Sequence, residues 1–234
     1  MARILQYLEC PQYLRKSFFP QHDDLRYAGV LNPLDSPHHM KADETPKYRE
    51  GVIVNAQIKE GRNSYALAGI LKNVEIDRVL MPGMRVTIQM DYASESKKKV
   101  KGYVVSPDTP RTRDGLYWGY QTRLAASLSE VFTDSPFSSG YDLTIGTSER
   151  GSSVDDAELP HFNHLLVVFG GLRGLESALE ADPKLNMDDP SLLFHQYLNT
   201  CPDQGSGTIR TEEAILISMA ALRTKIKAAQ GEIK

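Results

Sequence analysis

Three times between residues 141 and 217 an apolar, strand-like run ends in small turn-forming residues, and a helix-like segment follows. The first run is Tyr141-Asp142-Leu143-Thr144-Ile145-Gly146-Thr147-Ser148-Glu149-Arg150-Gly151. The second is His164-Leu165-Leu166-Val167-Val168-Phe169-Gly170-Gly171-Leu172. The third is Phe194-His195-Gln196-Tyr197-Leu198-Asn199-Thr200-Cys201-Pro202, followed by Asp203-Gln204-Gly205-Ser206-Gly207 and a helix from Thr211. This alternation predicts an α/β fold, a parallel sheet covered by helices. Ligands of such sheets bind beyond the carboxyl ends of the strands, where the turns lie. Turns rich in Gly, Thr, Ser and Asn offer backbone N–H and C=O groups with little bulk, which suits a flat, polar small molecule. The spacing is neither GxGxxG nor a P-loop, so it names no cofactor.

The flanking sequence excludes several classes. No run of about 18 apolar residues exists, so no membrane span is expected. Residues 1–11 lack a signal-peptide pattern. Cys10 and Cys201 sit in unrelated contexts without zinc spacing, so a reducing, intracellular compartment is the default. His38-His39 has no spaced Cys, Asp or Glu partners, and adjacent residues rarely share a metal, so no metal is assigned.

The chain opens on a helix-like stripe, Ile4, Leu5, Tyr7 and Leu8, stopped near Pro11. Tyr13-Leu14-Arg15-Lys16-Ser17-Phe18-Phe19 ends at Pro20, and 29–46 reads as an irregular connector. Residues 47–106 form a separate all-β unit. Val52-Ile53-Val54, Tyr65-Ala66-Leu67-Ala68, Val74-Glu75-Ile76, Val86-Thr87-Ile88-Gln89-Met90 and Gly102-Tyr103-Val104-Val105 are its five strands, separated at 61–64, 81–83 and 94–96. Five short strands in this length suit a small OB-like barrel, an oligonucleotide-binding architecture.

Charge separates the parts. Residues 47–125 carry fourteen Lys and Arg against eight Asp and Glu, while 126–234 carry eight against sixteen. The basic balance favours a phosphate-contacting surface that includes Lys97, Lys98, Lys99 and Lys101. The alternative for that lysine run is a solvated hairpin tip guarding an edge. Arg111 and Arg113, with Tyr117, Trp118 and Tyr120 beyond them, offer charge for phosphate and flat faces for unstacked bases. Equally, the three aromatics suit anchors at a domain junction. A helix is expected over Thr122–Phe132. The organisation expected is 1–46 as the start of the α/β domain, 47–106 as an inserted barrel, and 107–234 as its C-terminal part.

Several stretches together resemble the eukaryotic SPOUT-domain methyltransferase family, which has archaeal relatives with an OB-like insertion. They are Leu31-Asn32-Pro33-Leu34-Asp35-Ser36-Pro37-His38-His39, Gly115-Leu116-Tyr117-Trp118-Gly119-Tyr120, the run 141–151, Leu198-Asn199-Thr200-Cys201-Pro202, and Thr208-Ile209-Arg210-Thr211-Glu212-Glu213-Ala214-Ile215. The resemblance covers essentially the whole chain. It implies a trefoil-knotted SPOUT domain, S-adenosyl-L-methionine as methyl donor, RNA as substrate and a homodimer. For the nearest members it implies N3-methylation of a uridine in large-subunit ribosomal RNA, with nuclear and cytoplasmic location and association with the spindle and kinetochore. Family members carry a strand, a helix and a strand before the segment matching 2–8, and this chain is expected to lack them. The alternative function is a non-catalytic RNA-binding or spindle-associated protein that keeps the fold.

On this reading Thr147, Arg150, Gly151, Gly170, Gly171, Asn199, Thr200, Cys201, Ile209 and Thr211 form the cofactor site. Thr211 reads as the N-cap of the last helix. Methyl transfer needs the donor held in line with the nucleophile. Uridine N3–H is weakly acidic, so a base or a stabiliser of the developing anion is required. Arg150 is the catalytic candidate and Arg210 a second cation, each with a structural ion pair as its alternative.

Overall fold

The computed structural model describes residues 1–55, 63–96 and 99–231, and the side chains of all of these except 94–96 and 99. The protein folds as two compact units, Met1–Leu124 and Ala125–Lys234.

The first unit begins with α1 (Ala2–Glu9), a 3-10 turn (Gln12–Leu14) and α2 (Arg15–Phe18). Both helical segments follow the expected stripes and end at the expected prolines. Cys10, Leu14 and Val52 are buried together against Tyr13, Phe18, Phe19 and Leu67. Residues 31–46 are irregular. Then come β1 (Tyr48–Ile53), β2 (Tyr65–Leu67), β3 (Val74–Glu75), β4 (Arg85–Ser96) and β5 (Lys99–Val105). They close into a five-stranded barrel in the order β1-β2-β3-β5-β4. All five expected strands are present, although 94–96, read as a separator, belongs to β4. The barrel is filled by Ile53, Ala66, Val74, Ile76, Val86, Ile88, Met90 and Val100. Each large aliphatic side chain among them contributes roughly 1.5–3 kcal/mol on burial.

β1 starts four residues before its expected first residue, Val52, and the added residues include two charges. Arg49 is fully buried and Glu50 nearly so. Such charges are tolerated only when paired. The Arg49 guanidinium donates to the carbonyls of Ala68, Lys41 and Glu44 at 3.2, 2.7 and 2.6 Å. Glu50 accepts from Arg85 Nε at 2.8 Å and from the Thr87 hydroxyl at 2.6 Å. Arg85 in turn grips Glu9 with two hydrogen bonds, at 2.7 and 2.9 Å, tying α1 to the barrel. His38 and His39 both meet the Glu9 carbonyl, at 3.0 and 2.7 Å.

Residues 107–124, expected to rejoin the α/β body, lie in this first unit. Aromatic anchoring explains the placement. Trp118 is buried, donates its indole N–H to Glu50 and meets the Tyr48 ring at 5.9 Å. The Tyr120 hydroxyl donates to the Leu5 carbonyl at 2.8 Å. The same segment holds α3 (Thr109–Asp114), closed by Gly115 in the left-handed conformation.

The second unit opens with α4 (Leu128–Thr133). The expected start at Thr122 is corrected by a reciprocal cap. Ser127 Oγ accepts the Glu130 N–H at 3.4 Å, and the Glu130 carboxylate accepts the Ala126 N–H at 2.9 Å. β6 (Leu143–Ser153), β7 (Leu165–Phe169), α5 (Glu176–Glu180), β8 (Gln196–Asn199) and α6 (Thr211–Gln230) follow. The three strands are the expected ones and all pair in parallel, in the order β7-β6-β8. The helix expected after the first strand is absent. Residues 154–164 are irregular, with Val154 N–H bonded to the Asn199 carbonyl at 2.9 Å and Pro160 unable to continue a helix. Ile145, Val154, Leu198 and the α6 residue Leu222 form the core of this unit. No helix among the described residues is long and apolar enough to cross a membrane.

Candidate functional site

Parallel strands put all their carboxyl ends at one edge, so the turns that follow them must converge. Here they enclose a cavity of about 330 Å³. One wall is residues 147–150 of β6, a second is the β7–α5 turn from Phe169 to Glu176, and the third is the β8–α6 connection. Ala214, Ile217 and Ser218 of α6 close it.

The first wall exists because β6 slips its register. Leu198 of β8 lies opposite Thr147 before the slip and opposite Ser152 after it. Residues 148–150 are therefore pushed out of the ladder toward the cavity side. Gly151 is required there: a Cβ would stand 2.5 Å from the Leu198 carbonyl carbon and 2.7 Å from the Asn199 nitrogen. The bulge is held from across the sheet, since the Asn199 side-chain amide donates to the Glu149 carbonyl at 3.1 Å. The other face of Asn199 accepts the Cys201 N–H at 3.0 Å, curling the third turn. Thr200 and Ser218 hydroxyls meet at 2.6 Å, fastening that turn to α6.

The second wall is as tightly built. A Cβ on Gly170 would lie 2.7 Å from the Gly174 carbonyl carbon and 2.9 Å from the Leu175 nitrogen. Gly174 itself turns through the left-handed region at φ 73°. Thr211 is the first residue of α6, and Arg210 is the N-cap. This corrects the cap assignment: the Thr211 hydroxyl instead donates to the Gly170 carbonyl at 3.0 Å and joins the second and third walls.

Of the expected cofactor residues, Thr147, Arg150, Gly170, Gly171, Asn199, Thr200, Cys201, Ile209 and Thr211 line this one cavity. Gly151 lies behind the wall, where β8 passes. Sequence reasoning missed Gly174, Glu176, Arg173 and Gln204, which also line it. The Gly-x-x-Gly spacing from Gly171 to Gly174 was the available signal for that turn. Arg150 reaches across the mouth to Glu176, with Nη1 and Oε1 at 3.1 Å. Its side chain is 72% exposed, so this pair contributes little to folding. Arg210 is no part of the lining; its backbone N–H bonds the Glu213 carboxylate at 3.3 Å.

The expected RNA-contacting residues fall in the first unit. Lys101 is exposed on β5, and Arg113 is exposed in the last turn of α3. Arg111 donates to the Gly119 carbonyl at 3.4 Å. Lys97 and Lys98, with the side chain of Lys99, lie outside the described residues.

Comparison with known proteins gives this geometry a context. A protein named 28S rRNA (uridine-N(3))-methyltransferase from Mus musculus is 62% identical over 224 residues, covering 95% of this chain and 58% of its own length. Its Homo sapiens namesake is 60% identical, covering 95% of this chain and 60% of its own. The Drosophila melanogaster namesake is 56% identical over 238 residues, covering all of this chain and 48% of its own. The chain thus spans about half to three fifths of these relatives' lengths. A family described as "Putative RNA methyltransferase" matches residues 1–222. With a match over nearly its whole length, the chain belongs to that RNA methyltransferase family.

Proposed function

We propose that this chain carries the catalytic site of an S-adenosylmethionine-dependent RNA methyltransferase that acts at N3 of a uridine in large-subunit ribosomal RNA. The observation that carries the reading is the convergence of the β6 bulge and two Gly-rich turns on one cavity with an arginine–carboxylate pair at its mouth. The names of the relatives at 56–62% identity supply the substrate and the atom.

The residues fit the methyl donor. The volume lies in the range of small-molecule sites, and Phe169, Ile209 and Ile217 offer apolar surface for a flat base. Backbone groups of Gly170, Gly171 and Thr200, with the Thr147 and Thr211 hydroxyls, would hold the polar parts. The exposed carboxylate of Glu149 suits a cationic ligand. S-adenosylmethionine supplies an electrophilic methyl group on a sulfonium cation. The chain's own task is to bind it, exclude water and present the uridine in line.

The closed barrel has the β1-β2-β3-β5-β4 order of an OB-type barrel. With the basic balance of 47–125, it is the RNA-holding part, acting chiefly through phosphates. A homodimer through α6 is part of the same reading. Leu216 is 74% exposed on that helix, beside the part-exposed Ile215, Ile217 and Met219. Sedimentation should report a dimer that Leu216→Glu dissociates; a monomeric parent contradicts this assignment. The trefoil knot implied by the family belongs to the proposal as well.

The test is transfer from labelled S-adenosylmethionine to large-subunit ribosomal RNA, with the product nucleoside identified by mass spectrometry. N3-methyluridine is expected. RNA left unmethylated, or methylated at another atom, refutes the reading.

A further inference from the structure

The cavity contains more charge than cofactor binding needs. Its lining holds two carboxylates, Glu149 and Glu176, and two guanidinium groups, Arg150 and Arg173. Glu149 is exposed, whereas the Glu176 side chain is 30% exposed and held at one oxygen. Oε1 accepts from Arg150 at 3.1 Å. Oε2 lies against Gly174, at the place a Cβ would occupy. A side chain at 174 would displace the carboxylate, which gives that glycine a second purpose beyond its backbone angle.

A guanidinium donor beside a carboxylate acceptor is the complement of a uracil edge. Uracil presents a carbonyl, an imide N–H and a second carbonyl in a row. The carboxylate matches the N–H and the guanidinium matches a flanking carbonyl. Cytosine fails against the same pair, because its N3 is an unprotonated acceptor facing a carboxylate.

Resting on the N3-methyltransferase reading above, we infer that Glu176, paired with Arg150, reads the uridine imide edge and accepts its N3 proton. The N3–H bond breaks and the proton passes to a Glu176 oxygen. The freed electron pair of N3 forms the new N–CH3 bond, and the donor's C–S bond breaks with its pair remaining on sulfur. The sulfonium charge is thereby cancelled, and the proton, later lost to water, is the cation released. Arg150 opposes the negative charge that develops on the uracil oxygens. Because Arg150 also holds the ionised carboxylate, uridine must enter between the two and exchange their mutual bond for bonds to the base.

The titratable and charged groups around Glu176 are Arg150 and Glu149 from β6, Arg173 of its own turn, and Tyr197 from β8. Glu176→Gln keeps an acceptor for Arg150 and so keeps the fold, but it removes the base. With the full chain and a ribosomal RNA fragment that the parent methylates, this variant should bind S-adenosylmethionine as the parent does, by calorimetry. Its methyl-transfer rate should fall roughly 10²- to 10⁴-fold. The loss should shrink at alkaline pH, and with 5-fluorouridine at the target, whose N3–H is more acidic. A parent rate in Glu176→Gln overturns the inference. So does loss of S-adenosylmethionine binding in parallel with rate, which makes Glu176 a cofactor ligand, and so does a rate loss that 5-fluorouridine leaves untouched. A parent that forms no N3-methyluridine refutes the underlying reading instead, and is distinguished by that control alone.

Discussion

Gly170 and Gly171 are adjacent, line the same cavity and look interchangeable in sequence, yet they should respond in opposite ways to alanine. At Gly170 a methyl group would sit 2.7–2.9 Å from backbone atoms of Gly174 and Leu175, closer than Cβ atoms pack. Backbone cannot swing aside as a side chain can, so the β7–α5 turn must move. Overpacking of this kind costs about 1–3 kcal/mol. The displaced turn carries Glu176 and the carbonyl that receives the Thr211 hydroxyl, so two walls of the cavity shift together. A displacement on the order of 1 Å in a positioning element costs roughly 100-fold in rate. At Gly171 nothing lies within 4 Å of the same methyl group, and its backbone is not left-handed. Gly170→Ala should therefore lower the melting temperature and weaken S-adenosylmethionine binding by tenfold or more, about 1.4 kcal/mol. Gly171→Ala should keep the parent melting temperature. Differential scanning fluorimetry and titration calorimetry on both variants decide it. Equal melting temperatures for the two, or unchanged binding in Gly170→Ala, would refute the packing argument.

Three other expectations follow. Arg150→Ala should slow methyl transfer roughly 10- to 150-fold, the loss of a charge-assisted contact worth about 1.5–3 kcal/mol, with little change in melting temperature; unfolding of the variant would show a structural residue instead. Replacing Lys97, Lys98, Lys99 and Lys101 by Ala should flatten the salt dependence of RNA affinity by about 3 in the log–log slope for a single strand; an unchanged slope places the phosphate contacts elsewhere. Burial opposes ionisation of Glu9, but hydrogen bonds from His38 and Arg85 outweigh it and hold its carboxyl at about 2, below the usual 4.5. Its stabilisation, on the order of 3 kcal/mol, is then complete above about pH 4.5 and lost as pH falls toward 2; acid unfolding of Glu9→Gln should lack this component.

The elements legible in the sequence are those specified by near neighbours. Apolar runs bounded by Gly, Pro and Asn located eight strands, and small residues after three of them located the cavity. What escaped depends on contacts between distant residues. Arg49 and Glu50 fell outside the expected first strand because hydropathy cannot register a charge satisfied by Ala68, Lys41 and Arg85. Trp118 looked equally suited to a base-stacking surface or a junction, and the deciding partner, Glu50, is 68 residues away. Glu176 was passed over because nothing beside it in sequence is chemical. The role proposed for it emerges only when the slip in β6 carries Arg150 across to it, and at that slip Gly151 packs on the backbone of β8. Like the Gly171-x-x-Gly174 spacing, the Ser127 cap was a local signal overlooked: Ser-x-x-Glu stands in the sequence and places the helix start correctly.

Charge then divides the work between the parts of the chain. Residues 126–234 hold sixteen acidic against eight basic residues, so the unit that bears the cavity attracts a sulfonium and repels a phosphate backbone. Under the proposed reading an RNA substrate is poorly served by the cavity unit alone, and the basic 47–125 segment supplies attraction. At the cavity the acidic excess is offset locally, where Arg150 and Arg173 stand with Glu149 and Glu176 in the lining. Screening over about 8 Å at physiological salt lets these two cations act at contact distance while the acidic surroundings fade. Under the proposed reading, long-range attraction and base selection are thus separate physical problems with separate residues. Removing lysines from the barrel segment should change affinity without changing which base is methylated, whereas the Arg150–Glu176 pair governs the choice of uridine.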